Sequence, residues 1–198
     1  MKNVIKTIKK SILLATVFAS MVVSANEIST RIVNIDAKAT SFTLNNVKEG
    51  NLLTIKDTEG VVLYKELIKI SGTYKKGFDL SELPNGDYFF EVEKDFEIKT
   101  IPFKVNTNNV VFNKVMEKTT FKPVINHKSN LVFINKLTPE LEAVKIKIYS
   151  NTGNEQSLLH SETIEGSQKV ERVYKLEKGN YTIVINSDNK EYTKFINN

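Results

Sequence analysis

From Asn26 onward, apolar residues fall on every second position along most of the chain, the period of a strand with one face buried and the other wet. Phe42 and Leu44 share a face, as do Leu53 and Ile55, and Val144, Ile146 and Ile148. Tyr88, Phe90 and Val92 alternate with Phe89, Glu91 and Glu93. Helical spacing is absent, and Gly, Asn, Asp and Ser punctuate the Val-, Ile-, Thr-, Phe- and Tyr-rich runs as strand–turn–strand sequences require. The pattern predicts strands at 31–36, 40–45, 51–57, 61–70 and 96–105. It predicts further strands at 110–115, 120–125, 131–135, 143–149, 157–164, 169–176, 180–186 and 191–196. Between 61–70 and 96–105, Ser71-Gly72 reads as a break. Phe78 then opens a short strand into the Pro84-Asn85-Gly86 turn, Tyr88 begins the next strand, and Lys94-Asp95 tips a hairpin. Residues 126–130 read as a loop. Pro102 and Pro123, lacking an N–H, predict edge positions or bulges.

A fixed offset links the two halves. Adding 93 carries Leu53 to Ile146, Ile55 to Ile148, Gly60 to Gly153, Leu80 to Val173 and Leu83 to Leu176. It also carries Gly86 to Gly179, Tyr88 to Tyr181, Phe90 to Ile183 and Val92 to Ile185. A period this long, with about seven strands in each copy, means tandem domains. The expected fold class is all-β: two tandem immunoglobulin/fibronectin-III-like antiparallel β-sandwiches. They are expected at 26–107 and 108–198, with the polar Asn106-Thr-Asn-Asn109 run as the boundary.

Residues 1–25 carry a different pattern. Lys2, Lys6, Lys9 and Lys10 precede the uncharged run 11–23, and Val23-Ser24-Ala25 offers small residues for cleavage. That is the layout of a secretory signal peptide, too short in its apolar part to span a bilayer comfortably. The leader holds four of the 28 Lys and Arg and none of the 23 Asp and Glu, which leaves the mature chain at a net charge of +1. The basic pI therefore reflects the leader, and nucleic acid is not an expected partner. The mature chain has no apolar run of transmembrane length and the protein has no cysteine, so each sandwich must be held by its core alone. The expected location is periplasmic, cell-surface or extracellular.

Both copies carry Leu-x-x-Gly-x-Tyr, at 83–88 and 176–181. A tyrosine opening the penultimate strand after a glycine turn is the setting of a tyrosine corner, where the ring is buried and the hydroxyl bonds back to upstream backbone. The run Phe78-Asp-Leu-Ser-Glu-Leu-Pro-Asn-Gly-Asp-Tyr88, with Leu52–Val62 before it, resembles the C-terminal sorting domain of bacterial type IX secretion. The resemblance covers residues 52–105 and returns weakly at 144–196, keeping Leu176, Gly179 and Tyr181. It implies a small immunoglobulin-like sandwich, an exported protein and a bacterial source of that type. The strong copy is internal, which turns the implication toward the fold rather than sorting itself.

Candidate chemistry is sparse. His127 and His160 share no motif and have no carboxylate pair at ligand spacing, so both read as solvated. No nucleophile elbow, zinc-protease motif or phosphate loop occurs. Glu91, Glu93, Asp95 and Glu97 resemble a calcium-binding run, but Lys94 and Lys99 interrupt them; a charged, solvent-facing edge against strand aggregation is the simpler reading. Asn180-Tyr-Thr182 forms a glycosylation sequon beside the corner tyrosine. Catalytic, cofactor-binding and metal residues are accordingly all expected to be none, and no cofactor is implied. The expected function is an exported, non-catalytic module for envelope structure, adhesion or protein interaction, with a protein or envelope component as partner. The alternatives are a ligand- or glycan-binding accessory module and a sorting-domain-like secretion element.

Overall fold

The computed structural model describes residues 30–33, 37–107, 109–153 and 155–198. The predicted signal peptide, 1–25, lies outside them. In the first unit, β1 (Thr30–Val33), β2 (Thr40–Val47) and β5 (Gly72–Phe78) form a three-stranded sheet in the order β1-β2-β5. Facing it are β3 (Leu52–Asp57), β4 (Val62–Leu67), β6 (Gly86–Glu93) and β7 (Glu97–Asn106), in the order β4-β3-β6-β7. In the second unit, β10 (Val124–Lys128), β11 (Leu131–Leu137) and β14 (Lys169–Lys175) are ordered β10-β11-β14. Its other sheet is β13 (Glu155–Ile164), β12 (Val144–Thr152), β15 (Asn180–Ser187) and β16 (Lys190–Asn197), in that order. Strand for strand, the two halves have the same antiparallel topology, in which the third and fourth strands pair in one sheet and the fifth returns to the other. Each half is a fibronectin-III-like sandwich.

Alternation accounts for the cores. Phe42, Leu44, Leu53, Ile55, Phe90 and Val92 are buried in the first unit, and Val132, Ile134, Val144, Ile146, Ile183 and Ile185 in the second. The offset holds in β3/β12 and β6/β15, but the filling differs. Phe90 stacks on Phe42 at 4.4 Å and meets Phe78, Phe103 and Phe112, whereas the aligned Ile183 sits in a core of Val, Ile and Leu with Tyr181 as its buried ring.

The structure corrects several expectations. The compact units divide between Thr120 and Phe121, beyond the expected boundary at 107/108. The reason is that β8 (Asn109–Phe112) pairs with β7 in register Phe103↔Phe112, and β9 (Lys118–Phe121) also pairs with β7, so both extend the first unit's sheet. Val110 and Thr120 are buried there. Pro102 thus lies in a flanked strand, its carbonyl accepting from the Asn113 N–H at 3.0 Å. The break expected at Ser71-Gly72 opens β5, whose inward residues Tyr74 and Phe78 are separated by lysines, and that strand ends where Phe78 was expected to begin one. The loop expected at 126–130 is mostly β10, pairing Asn126↔Phe133 and His127↔Val132.

The sequence pairing of Leu80 with Val173 also fails. Val173 is exposed, while Leu176 is buried and its N–H bonds the Asn130 carbonyl, as the Leu80 N–H bonds the Ala37 carbonyl. The second copy has lost three residues in this turn and gained three in the β12–β13 hairpin, so the offset drifts to 96 and returns to 93. Both hairpins carry a bulge at matching places: β4 between its pairs to Ile55 and Lys56, and β13 between its pairs to Ile148 and Tyr149.

Candidate functional site

Tyr88 and Tyr181 are buried, 8% and 7% exposed, so neither ring is displayed for a ligand. The Tyr88 hydroxyl donates to the Pro84 carbonyl at 2.9 Å, and the Tyr181 hydroxyl to the Glu177 carbonyl at 3.0 Å. Each ring lies over the glycine two residues before it; a Cβ on Gly86 would sit 3.4 Å from the Tyr88 ring. Burial, with the Glu177 charge adding to it, pushes the Tyr181 phenol pKa up. Asn180, the sequon residue, is exposed at the start of β15.

The acidic run is not brought together. Glu91 lies on β6, a central strand, and is 6% exposed, ion-paired to Lys56 at 2.6 Å. That corrects the expected solvent-facing edge: β6 has β3 on one side and β7 on the other, so Glu91 is shielded and needs its own cation. Asp95 faces Lys48 and Glu97 bonds Lys94. The two histidines also have separate partners. His127 is exposed on β10 with Nε2 3.2 Å from Asn198 Oδ1, and His160 on β13 lies 3.4 Å from Glu162 and 5.2 Å from the Tyr174 ring. Among the described residues, no group of three or more His, Asp or Glu side chains is placed to hold a metal.

What sequence reasoning missed is a carboxylate at one seam of each sandwich. Glu66 on β4 accepts from Tyr64, from the Tyr74 hydroxyl on β5 at 3.1 Å and from Lys76. Lys76 also lies 5.0 Å above the Tyr64 ring. In the second unit, Glu162 on β13 accepts from Arg172 Nε at 2.9 Å, from Tyr174 on β14 and from His160. β4 and β13 end one sheet and β5 and β14 end the other, so each glutamate ties the two sheets across their open side. The Lys76 and Tyr64 hydrogen bonds hold the Glu66 carboxyl below the usual range. At Glu162 burial works the other way, and bonds from Tyr174 and Arg172 outweigh it. Burial, then the facing carboxylate, pushes the Tyr74 and Tyr174 phenols up. A carboxylate held low by several donors is a poor general base, so both clusters suit joining the sheets better than proton transfer.

Two surface features remain. Val61, Val62, Leu63, Leu67 and Ile70 are each 45–57% exposed within ten residues, on and beside β4, the end strand of its sheet. In the second unit an open cleft of about 730 Å³ lies between the start of β12, the end of β13 and the β15–β16 turn. Asp188 and Asn189 form that turn with φ of 52° and 55°, the positive values of a two-residue hairpin. Among the described residues, no helix is long and apolar enough to cross a membrane.

No family model matches the chain, and no curated protein matches it. Solved structures similar to it include the chicken interferon gamma receptor alpha chain, at 13% identity and TM-score 0.29, covering 85% of this chain and 96% of that one. The BSP domain of a biofilm-associated protein is similar at 14% identity and TM-score 0.25, over 85% of this chain and 29% of its own. The FN1–FN3 domains of chicken CNTN1 follow at 10% identity and TM-score 0.27, over 85% and 62%. The strand order above, rather than these scores, carries the fold assignment.

Proposed function

We propose that this chain is an exported, non-catalytic tandem-sandwich module for protein contact at the cell envelope, and that the β4 edge of its first unit makes the contact. The observation that carries the reading is the exposed apolar run Val61–Leu63, Leu67 and Ile70 on an end strand. Folded proteins usually blunt such edges with charge or proline, because unpaired backbone and apolar side chains together recruit another chain. The seam glutamates support the non-catalytic part, since their lone pairs are occupied by donors. The buried tyrosines are read as tyrosine corners, devices of folding rather than binding. Export rests on the leader pattern at 1–25 and on the resemblance of residues 52–105 to the sorting domain; N-terminal sequencing of exported protein should begin at Asn26.

The test is capture from a solubilised envelope fraction by the mature chain and by a Leu63→Asp/Leu67→Lys variant. A specific protein retained by the native chain and lost by the variant, at equal thermal stability, supports the reading. Equal retention by both, or no retained protein, overturns it.

A further inference from the structure

The β4 edge carries a pattern finer than its exposed apolar residues. Leu53 and Ile55 point into the first core and pair with Glu66 and Tyr64, so those two β4 side chains face inward as well. Lys65, opposite Thr54, and Leu67, opposite Leu52, therefore stand on the outer face of the sheet. Ile68 is 1% exposed; its N–H donates to the Asn51 carbonyl and its carbonyl accepts from the Gly50 N–H. The next residue, exposed Lys69, continues the outer row. Side chains and backbone groups alternate in step along an antiparallel strand. Tyr64, Glu66 and Ile68 turn their backbone groups toward β3, which leaves those of Lys65, Leu67 and Lys69 directed at the open edge.

That row reads cation, apolar, cation. Leu67 is 57% exposed, and among the described residues no acid lies within ion-pair distance of Lys65 or Lys69. Glu66, the carboxylate between them in sequence, is turned inward and taken by Lys76, Tyr64 and Tyr74. A second copy does not fit the row. Centred on Lys65 or on Leu67, antiparallel self-pairing sets lysine against lysine, and centred on Glu66 it sets glutamate against glutamate. Centred on Tyr64, it needs Leu63, the extra residue of the β4 bulge, to pair in register.

We propose that the β4 edge takes an extended acidic segment of a partner protein as an added antiparallel strand. The segment carries Asp or Glu, an aliphatic residue, and Asp or Glu at alternate positions. Its carboxylates lie opposite Lys69 and Lys65, its aliphatic side chain lies against Leu67, and the backbone groups of those three residues complete a hydrogen-bonded ladder. Its intervening residues face the filled Glu66 seam, where small or polar side chains suffice. This rests on the β4 edge being the contact surface, and it adds the chemistry of what is contacted.

Titration of the mature two-unit protein with the capped peptide Thr-Glu-Thr-Val-Thr-Glu-Thr, followed by amide NMR, tests this. The same peptide with Lys in place of Glu is the control. The expected result is shifts concentrated at residues 64–69, binding that weakens as salt rises, and no binding of the lysine peptide. Lys65→Glu/Lys69→Glu, two exposed substitutions, should lower affinity for the acidic peptide about tenfold and transfer the preference to the lysine peptide. Equal binding of the two peptides, shifts that map elsewhere, or binding of neither overturns the acidic-strand assignment. The contact reading is decided separately. An envelope protein still captured by Lys65→Glu/Lys69→Glu but lost by Leu63→Asp/Leu67→Lys would sink the acidic strand alone.

Discussion

At the scale of single residues, the phenol–carbonyl bonds are the clearest repeated device. Tyr88→Phe and Tyr181→Phe each delete one hydroxyl and leave the Pro84 or Glu177 carbonyl without it. Each should cost about 1 kcal/mol, read from the urea midpoint of the affected unit. The seam glutamates predict a pH dependence. Glu66 has a folded-state pKa below its unfolded value, so its contribution is complete above the ordinary glutamate range of about 4.3. It is lost as pH falls through the depressed folded value. Thermal melts from pH 7 to pH 3 should show a shallower acid-side decline for Glu66→Gln than for the native chain, and an equal decline would contradict the assignment. Alternation made Phe42, Leu44, Leu53 and Ile146 readable as core from the sequence. The seam clusters were not readable, because Tyr74 and Lys76 follow Glu66 across a break; in the second copy the cation keeps its place as Arg172, but the phenol moves to its other side as Tyr174, where the first copy has Phe78.

At the scale of elements, long alternating strands were legible and short or lysine-rich ones were not. β5 reads Gly-Thr-Tyr-Lys-Lys-Gly-Phe, and its two glycines and two lysines mask a strand that buries only Tyr74 and Phe78. β8 and β9 carry ordinary strand residues, but nothing local says which half they join; pairing with β7 is a long-range choice. It has a measurable consequence. A fragment of residues 26–107 lacks β8 and β9 and exposes the β7 edge with Phe103 beside it. A fragment of 26–120 should exceed it in stability by about 2–4 kcal/mol, from burial of Val110, part of Phe112 and their neighbours. Equal urea midpoints for the two fragments would refute this role.

For the whole molecule, the repeat was visible because two glycine turns and a tyrosine keep one offset. The exact unit boundary and the drift to 96 were not, since compensating changes in length leave the flanking register intact. Separate cores predict separate responses to damage. Phe90→Ala removes the ring at the centre of the first core and should cost 3–5 kcal/mol there, roughly the range for such truncations. Ile183→Ala should weaken the second unit by about 2–5 kcal/mol. Amide resonances followed during unfolding should show each substitution advancing the transition of its own unit while the other holds its midpoint. Both transitions moving together would mean that the units unfold as one.

The attachment of β8 and β9 to β7 has a mechanical side. The sequence places only the polar run 106–109 between the two halves, with strands expected from 110 on; the stretch 107–123, fully drawn out, would span on the order of 50 Å. In the folded chain part of that reach is taken up by β8 and β9, which lie along β7. Under a pull between the two units, the segment yields length only as β9 and then β8 peel from β7, and β8 draws Val110 out of the first core as it leaves. At the end of β16, Asn198 is clipped directly to the Gly179 backbone. Stretched across both units, the chain can pay out hidden length at the β7 edge, a small shock absorber on the thread between two sandwiches.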